Sequence, residues 1–191
     1  YRAGKKLDGP CLAIVGTPCE IEGLSALQDF EFDYGSQSEG IDAVEYRIAL
    51  MCTKNFNHEK LIGEKLERDR NIPPEDIGKL DIIEGQLRVY DHDGTMTHEE
   101  PIGEFHDAAL KGCNECADFT GYTADVTVGS VGSSDEYSSV IVRNETGMEM
   151  WETAEPVLEY HDLEDRGAIG WLQSWDKKQA LDALERPFDP D

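Results

Sequence analysis

The stretch Cys11-Leu-Ala-Ile-Val-Gly-Thr-Pro-Cys-Glu-Ile21 decides the fold. Residues 11–15 form a short continuous apolar run, as expected of a strand buried on both faces. Gly16 supplies a turn, and Thr17-Pro18-Cys19-Glu20 then has the form of a capping box. Thr stands at the N-cap, Pro at the first helical position and Glu three residues after the Thr. The spacing predicts a helix from Pro18 to about Gln28 that buries Ile21, Leu24 and Leu27. Residues 29–43 read as an acidic loop, and Val44 to Cys52 as a second strand. Strand, helix, strand requires a parallel pair joined by a right-handed crossover.

Outward from this unit, a second helix is predicted with its cap near Asn57. It carries Leu61, Ile62 and Leu66 on one side, pairs Glu64 with Arg68 at i,i+4, and is ended by Pro73-Pro74. From Leu80 to Glu100 the pattern shortens to alternating runs punctuated by Glu84-Gly85 and Asp93-Gly94, the signals of an antiparallel meander. A brief helical stretch near Glu104 to Leu110 follows, then strands at Ala124–Gly129 and Ser139–Arg143. Helical pattern returns at Met148–Glu155 and at about Ala168 to Leu184, the latter with Trp171, Leu172, Trp175, Leu181 and Leu184. Residues from Arg186 read as a loose tail. The expected fold is an α/β mixture in a single domain over residues 1–191: a short parallel βαβ core, an antiparallel meander and flanking helices.

In 191 residues, 41 Asp and Glu outweigh 17 Lys and Arg to leave a net charge of −24. With no Lys/Arg cluster larger than Lys5-Lys6, the chain has no basic face to neutralise phosphates, which argues against a nucleic-acid partner. No apolar run approaches the roughly 18 residues of a membrane span. Self-repulsion at this charge density destabilises a compact state in dilute buffer, whereas molar salt shrinks the screening length to about 3 Å. The expectation is a folded protein of a salt-loving microbe. With no apolar signal core near Tyr1, the expected location is the cytoplasm.

Five cysteines, Cys11, Cys19, Cys52, Cys113 and Cys116, are an odd number that fits a closed disulfide framework poorly. Cys19 falls in the first turn of a helix, where unpaired N–H groups and the dipole favour a thiolate or an anionic cluster. Cys52 ends the neighbouring parallel strand, and open α/β sheets place ligands at that edge. Cys113-x-x-Cys116 completes four thiolates, the number that a tetrahedral zinc or a 4Fe-4S cluster requires. A structural zinc site made by the four cysteines in an interaction module and a thiol-disulfide switch of Cys113 with Cys116 are the competing readings. Cys11, inside an apolar strand, reads as core. His58, His92, His98, His106 and His161 show no metal or nucleophile spacing. Gly129-Ser-Val-Gly132-Ser lacks the dinucleotide register.

Four motifs occur in order: Gly16-Thr-Pro-Cys-Glu-Ile21; Cys52-Thr-Lys-Asn-Phe56; Cys113-x-x-Cys-Ala-Asp-Phe-Thr120; and Ala124-Asp-Val-Thr-Val-Gly-Ser-Val-Gly-Ser133 leading into Ser-Ser-Val-Ile-Val-Arg143. Together they resemble the C-terminal domain of the coenzyme F420 hydrogenase/dehydrogenase beta-subunit family, from about Leu12 to Gly147. The resemblance implies an electron-transfer oxidoreductase that uses FAD, a 4Fe-4S cluster and coenzyme F420, with a redox partner protein or subunit and room for a homo-oligomer. It implies Cys19, Cys52, Cys113 and Cys116 as cluster ligands. It also implies that the loops at Thr17, Asn55-Phe56, Thr120 and Gly129-Ser130 approach the flavin. No side chain is implied as general acid or base, since the hard chemistry belongs to the cofactors. Two departures stand out: Glu136-Tyr137 where relatives often have Gly-Trp, and Glu20 where they often have Gln. Relatives also carry a segment before Leu12, so the flavin site is expected to be only partly formed here.

Overall fold

The computed structural model describes residues 12–29, 38–134 and 136–185. Cys11, most of the acidic loop and the tail from Arg186 lie outside them. The chain divides into two compact units, a larger one built from residues 1–53 and 115–191, and an insert spanning 54–114.

In the larger unit, strand β1 (Leu12–Gly16) leads into helix α1 (Pro18–Asp29), a short helix α2 (Ser38–Ile41) and strand β2 (Val44–Leu50). Strands β6 (Val126–Gly129) and β7 (Ser139–Val142) complete a four-stranded sheet of order β1-β2-β6-β7. β1, β2 and β6 are parallel, and β7 runs antiparallel to β6. The predicted crossover is present. β1 is not buried on both faces, however: it occupies a sheet edge, Ala13 and Val15 are exposed, and only Leu12 and Ile14 pack against buried residues. A strand buried on both faces needs neighbours that its own residues do not specify.

α1 starts and stops as predicted, but its buried stripe is Pro18, Ile21, Leu24 and Ser25, with Leu27 left 38% exposed. Ser25 holds the stripe position because its hydroxyl returns to the Ile21 carbonyl at 3.0 Å, so its burial leaves no unpaired donor. Gln28 then ties the helix to the sheet by donating to the carbonyls of Ile41 and Val44. Helix α3 (Glu145–Ala154) begins at Asn144, whose side chain accepts the Gly147 N–H. Helix α4 (Arg166–Leu184) begins at Asp165, which accepts the Ala168 N–H. α4 buries Ile169, Gln173 and Asp176, while Trp171, Leu181 and Leu184 are exposed.

The insert carries a helix at Glu59–Arg68 that is wound wider than α, with the Asp69 N–H bonded to the Glu64 carbonyl. Asn57 accepts the Lys60 N–H at its start, and Glu64 and Arg68 pair at 3.7 Å along it. Asn71 then takes the left-handed conformation (φ 56°) that stops the helix ahead of the prolines. The meander follows as β3 (Lys79–Ile83), β4 (Gln86–Tyr90) and β5 (Met96–Pro101). Glu84 and Gly85 both have positive φ, 52° and 75°, the geometry of a two-residue hairpin turn that matches strand twist. Leu61, Leu66, Leu87, Val89, Phe105 and Ala108 form the core of the insert. The helical stretch expected at 104–110 is a tighter 3-10 turn, Ile102–Ala108.

Candidate functional site

Parallel β1, β2 and β6 end at the same edge of the sheet, and the larger unit places its candidate residues on the loops that leave that edge. After β1, the Glu20 carboxylate accepts the Thr17 N–H at 2.7 Å and the Thr17 hydroxyl at 3.0 Å. The capping box therefore closes from the glutamate side. Gly16 makes room for this, since a Cβ there would stand 2.9 Å from the same Glu20 oxygen. The Thr17 hydroxyl lies 3.3 Å from the Cys19 sulfur, which is exposed in the first turn of α1. Glu20 thus has a local task, holding the turn that presents Cys19.

Cys52 lies two residues past the end of β2 rather than within it. Its N–H donates to the Phe119 carbonyl at 3.1 Å, and that of Met51 to the Val128 carbonyl at 2.9 Å. The segment after β2 is therefore stitched to β6 on one side and to the loop following Cys116 on the other. Gly129 closes β6 against this segment, where a Cβ would fall 2.5 Å from the Met51 side chain. Ser130, next in the chain, is exposed.

The loop after Cys116 is held by groups that the sequence reading did not single out. Asp118 accepts N–H bonds from Thr120, Gly121 and Tyr122 through its two carboxylate oxygens. From α4, the Gln173 amide donates to the Ala117 carbonyl at 2.7 Å and accepts the Thr120 hydroxyl at 3.1 Å. Thr120 is buried, and its carbonyl takes Thr127 Oγ1 and Arg143 Nη2, both at 2.6 Å. The Thr120 side chain is thus engaged inside the unit. The signal for Gln173 was present in principle: Ile169, Gln173 and Asp176 follow the helical period, and a polar residue on a buried stripe demands a partner.

Cys116 is half-buried, and its thiol points to the Asp118 carbonyl at 3.7 Å. Burial pushes this thiol up from its usual value of 9.0; the Asp118 bond opposes the shift, while the charges of Asp176, Cys19 and Asp118 add to it. In the insert, Cys113 is half-buried and its sulfur accepts the Asn55 N–H at 3.3 Å. The Asn55 carbonyl accepts the Leu110 N–H at 2.9 Å, and Phe56 pairs with Ala109 across an isolated bridge. The Asn55-Phe56 segment is therefore the scaffold of Cys113, and the Asn55 side chain is exposed.

Cys19, Cys52, Cys113 and Cys116 form no disulfide among the described residues. Among the described residues, no three His, Cys, Asp or Glu side chains converge closely enough to hold a metal ion in the chain as it stands. By chemistry alone the individual thiols suit iron-sulfur ligation: Cys19 lies exposed in the first turn of a helix, and Cys113 already accepts a backbone N–H, the kind of bond that tunes cluster sulfur.

Residues 11–166 match the family described as the C terminus of the coenzyme F420 hydrogenase/dehydrogenase beta subunit. The chain belongs to this family. It is 35% identical over 147 residues to the coenzyme F420-dependent sulfite reductase of Methanocaldococcus jannaschii, a match covering 73% of this chain and 23% of that protein. It is 33% identical over 139 residues to the coenzyme F420 hydrogenase subunit beta of Methanothermobacter thermautotrophicus, covering 71% of this chain and 46% of that one. The F420-reducing [NiFe] hydrogenase complex from Methanosarcina barkeri contains a chain of the same fold, with a TM-score of 0.76 at 23% identity, covering 91% of this chain and 59% of that one. The chain thus spans about half or less of the length of these two curated relatives. As an F420 hydrogenase/dehydrogenase beta-subunit domain it has the mixed architecture read from its sequence. Among the described residues, no helix is long and apolar enough to cross a membrane.

Proposed function

We propose that the chain is the electron-transfer domain of an iron-sulfur flavoprotein oxidoreductase acting with coenzyme F420. Cys19, Cys52, Cys113 and Cys116 would hold a 4Fe-4S cluster, with the loops at Thr17, Asn55-Phe56, Thr120 and Gly129-Ser130 beside FAD. When bound, a flavin exchanges hydride as a two-electron unit with the deazaflavin and a cluster carries electrons singly, on to a redox partner protein. The chain's own residues supply position and environment. Glu20 and Thr17 hold the turn that exposes Cys19, Phe119 anchors Cys52, and Gln173 and Asp118 shape the loop after Cys116. The observation that carries the reading is the bond from Cys52 N–H to the Phe119 carbonyl, which joins the second parallel strand's cysteine to the loop of the Cys-x-x-Cys motif. The acidic composition fits a cytoplasmic protein of a salt-rich cell.

Anaerobic purification with iron, sulfide, zinc and flavin analysis tests this proposal. Four irons and four sulfides per chain, with broad visible absorbance lost in Cys52→Ser and kept in Cys11→Ser, are expected. One zinc per chain without sulfide would establish the four-cysteine zinc site instead. A cluster that survives Cys52→Ser would remove Cys52 from the ligand set.

A further inference from the structure

None of the described cysteines lines the cavity of about 710 Å³ that opens beside edge strand β7 in the larger unit. Four of its fourteen lining residues are aromatic: Tyr137, Trp151, Tyr160 and His161. The Tyr137 ring stands edge-on to His161, centroids 4.4 Å apart at 74°, and Trp151 stands edge-on to Tyr160 at 5.3 Å and 80°. In each pair the edge of one ring lies against the face of the other, and the faces left uncovered are the electron-rich sides of the rings. Glu136, Glu159 and Asp162 add carboxylates, serines, valines and leucines make up the rest, and the lining contains neither Lys nor Arg. The Tyr137 hydroxyl donates to Glu159 at 3.3 Å, so the carboxylate sits against the aromatic wall.

These features select the occupant by chemistry. The carboxylates repel phosphate and carboxylate groups, which disfavours a phosphate-bearing cofactor. A bare alkali ion keeps its water and gains little from ring faces. An alkylated ammonium group meets both demands, since its charge faces the carboxylates and its methyl groups lie against the rings. The volume falls in the range of small-molecule sites. We propose that this cavity binds a small organic cation of the quaternary or alkylated ammonium class, held by Trp151, Tyr160 and Tyr137 with Glu159 as counter-charge.

The test uses tetramethylammonium chloride titrated against KCl at constant ionic strength, so that general screening of the acidic surface cancels. The readout is the indole N–H resonance of Trp151, assigned by its loss in Trp151→Phe. A saturable shift with half-saturation in the low millimolar range is expected for tetramethylammonium. Tyr160 is 56% exposed, so Tyr160→Leu leaves the core intact and should weaken binding about tenfold. Glu159→Gln, at an exposed position, should weaken it as well, while Trp171→Leu on α4 should not change it. Equal response to potassium and tetramethylammonium, or binding unmoved in both Tyr160→Leu and Glu159→Gln, would overturn the proposal. The cavity shares no residue with the candidate cluster and flavin positions, so the outcome is independent of the electron-transfer reading.

Discussion

Replacing Asp125 with Asn should destabilise the larger unit by about 2–3 kcal/mol, somewhat less than the 3–5 kcal/mol of a fully buried broken ion pair. Asp125 is fully buried, and both of its oxygens are taken. Oδ2 accepts the Arg47 N–H at 2.7 Å, while Oδ1 accepts Arg47 Nη2 at 3.0 Å and Asn144 Nδ2 at 2.8 Å. An asparagine offers one oxygen and one NH2, so in either orientation a donor meets donors. Arg47 retains 28% side-chain exposure, which lets water recover part of its guanidinium and keeps the cost below that of full burial. For a domain of this size, the loss corresponds to a fall in Tm of about 4–12 °C, measured by circular dichroism at one fixed KCl concentration. Burial alone would raise the Asp125 carboxyl, but the bonds from Arg47 and Asn144 outweigh it and hold the group below its ordinary 3.8. Its contribution is therefore complete above that ordinary value and is lost as pH falls through the lower native one. The gap between wild type and Asp125→Asn should accordingly narrow in acid. A variant that melts within about 2 °C of wild type near neutral pH would refute the argument that this pair joins β2, β6 and α3.

Four further outcomes are expected. With a net charge of −24, thermal stability should climb steeply between about 0.1 M and 1 M KCl, and melting curves that stay put would sink the halophilic reading. Gly121→Ala forces a side chain into φ 65° with its Cβ 2.3 Å from that of Ala49, so a loss of about 2–4 kcal/mol is expected by chemical denaturation. Gly94→Ala, at φ 81° but in open space, should cost only about 1–2 kcal/mol. In the insert, the hydrogen bond from Arg70, helped by His98, holds the Glu100 carboxyl down at about 2, so carbon-detected NMR should find it ionised through pH 3 and Arg70→Gln should return it towards 4.5. The stability this pair adds is present above the ordinary carboxylate range and fades only as pH drops towards the depressed value.

The elements legible in the residues are those whose causes are local. Thr17-Pro18 with Glu20 starts α1 because capping needs only partners within one turn. Glu84-Gly85 turns the meander because the two residues themselves adopt the left-handed conformation. The spacing of Cys113 and Cys116 marks a candidate ligand pair within one loop, and the parallel β1-β2 pair followed from strand, helix, strand. What the residues did not disclose depends on segments far apart in the chain. β1 is half-exposed because β2 and β6, not β1, fill the middle of the sheet. Ser25 displaces Leu27 from the buried stripe because its hydroxyl has a carbonyl to reach. The loop after Cys116 takes its shape from Gln173, more than fifty residues away, and from Ala49 pressing on Gly121. Periodicity reports which face of an element can be buried, whereas only the assembled neighbours decide which face is, because burial and hydrogen-bond satisfaction are properties of contacts that one segment cannot make with itself.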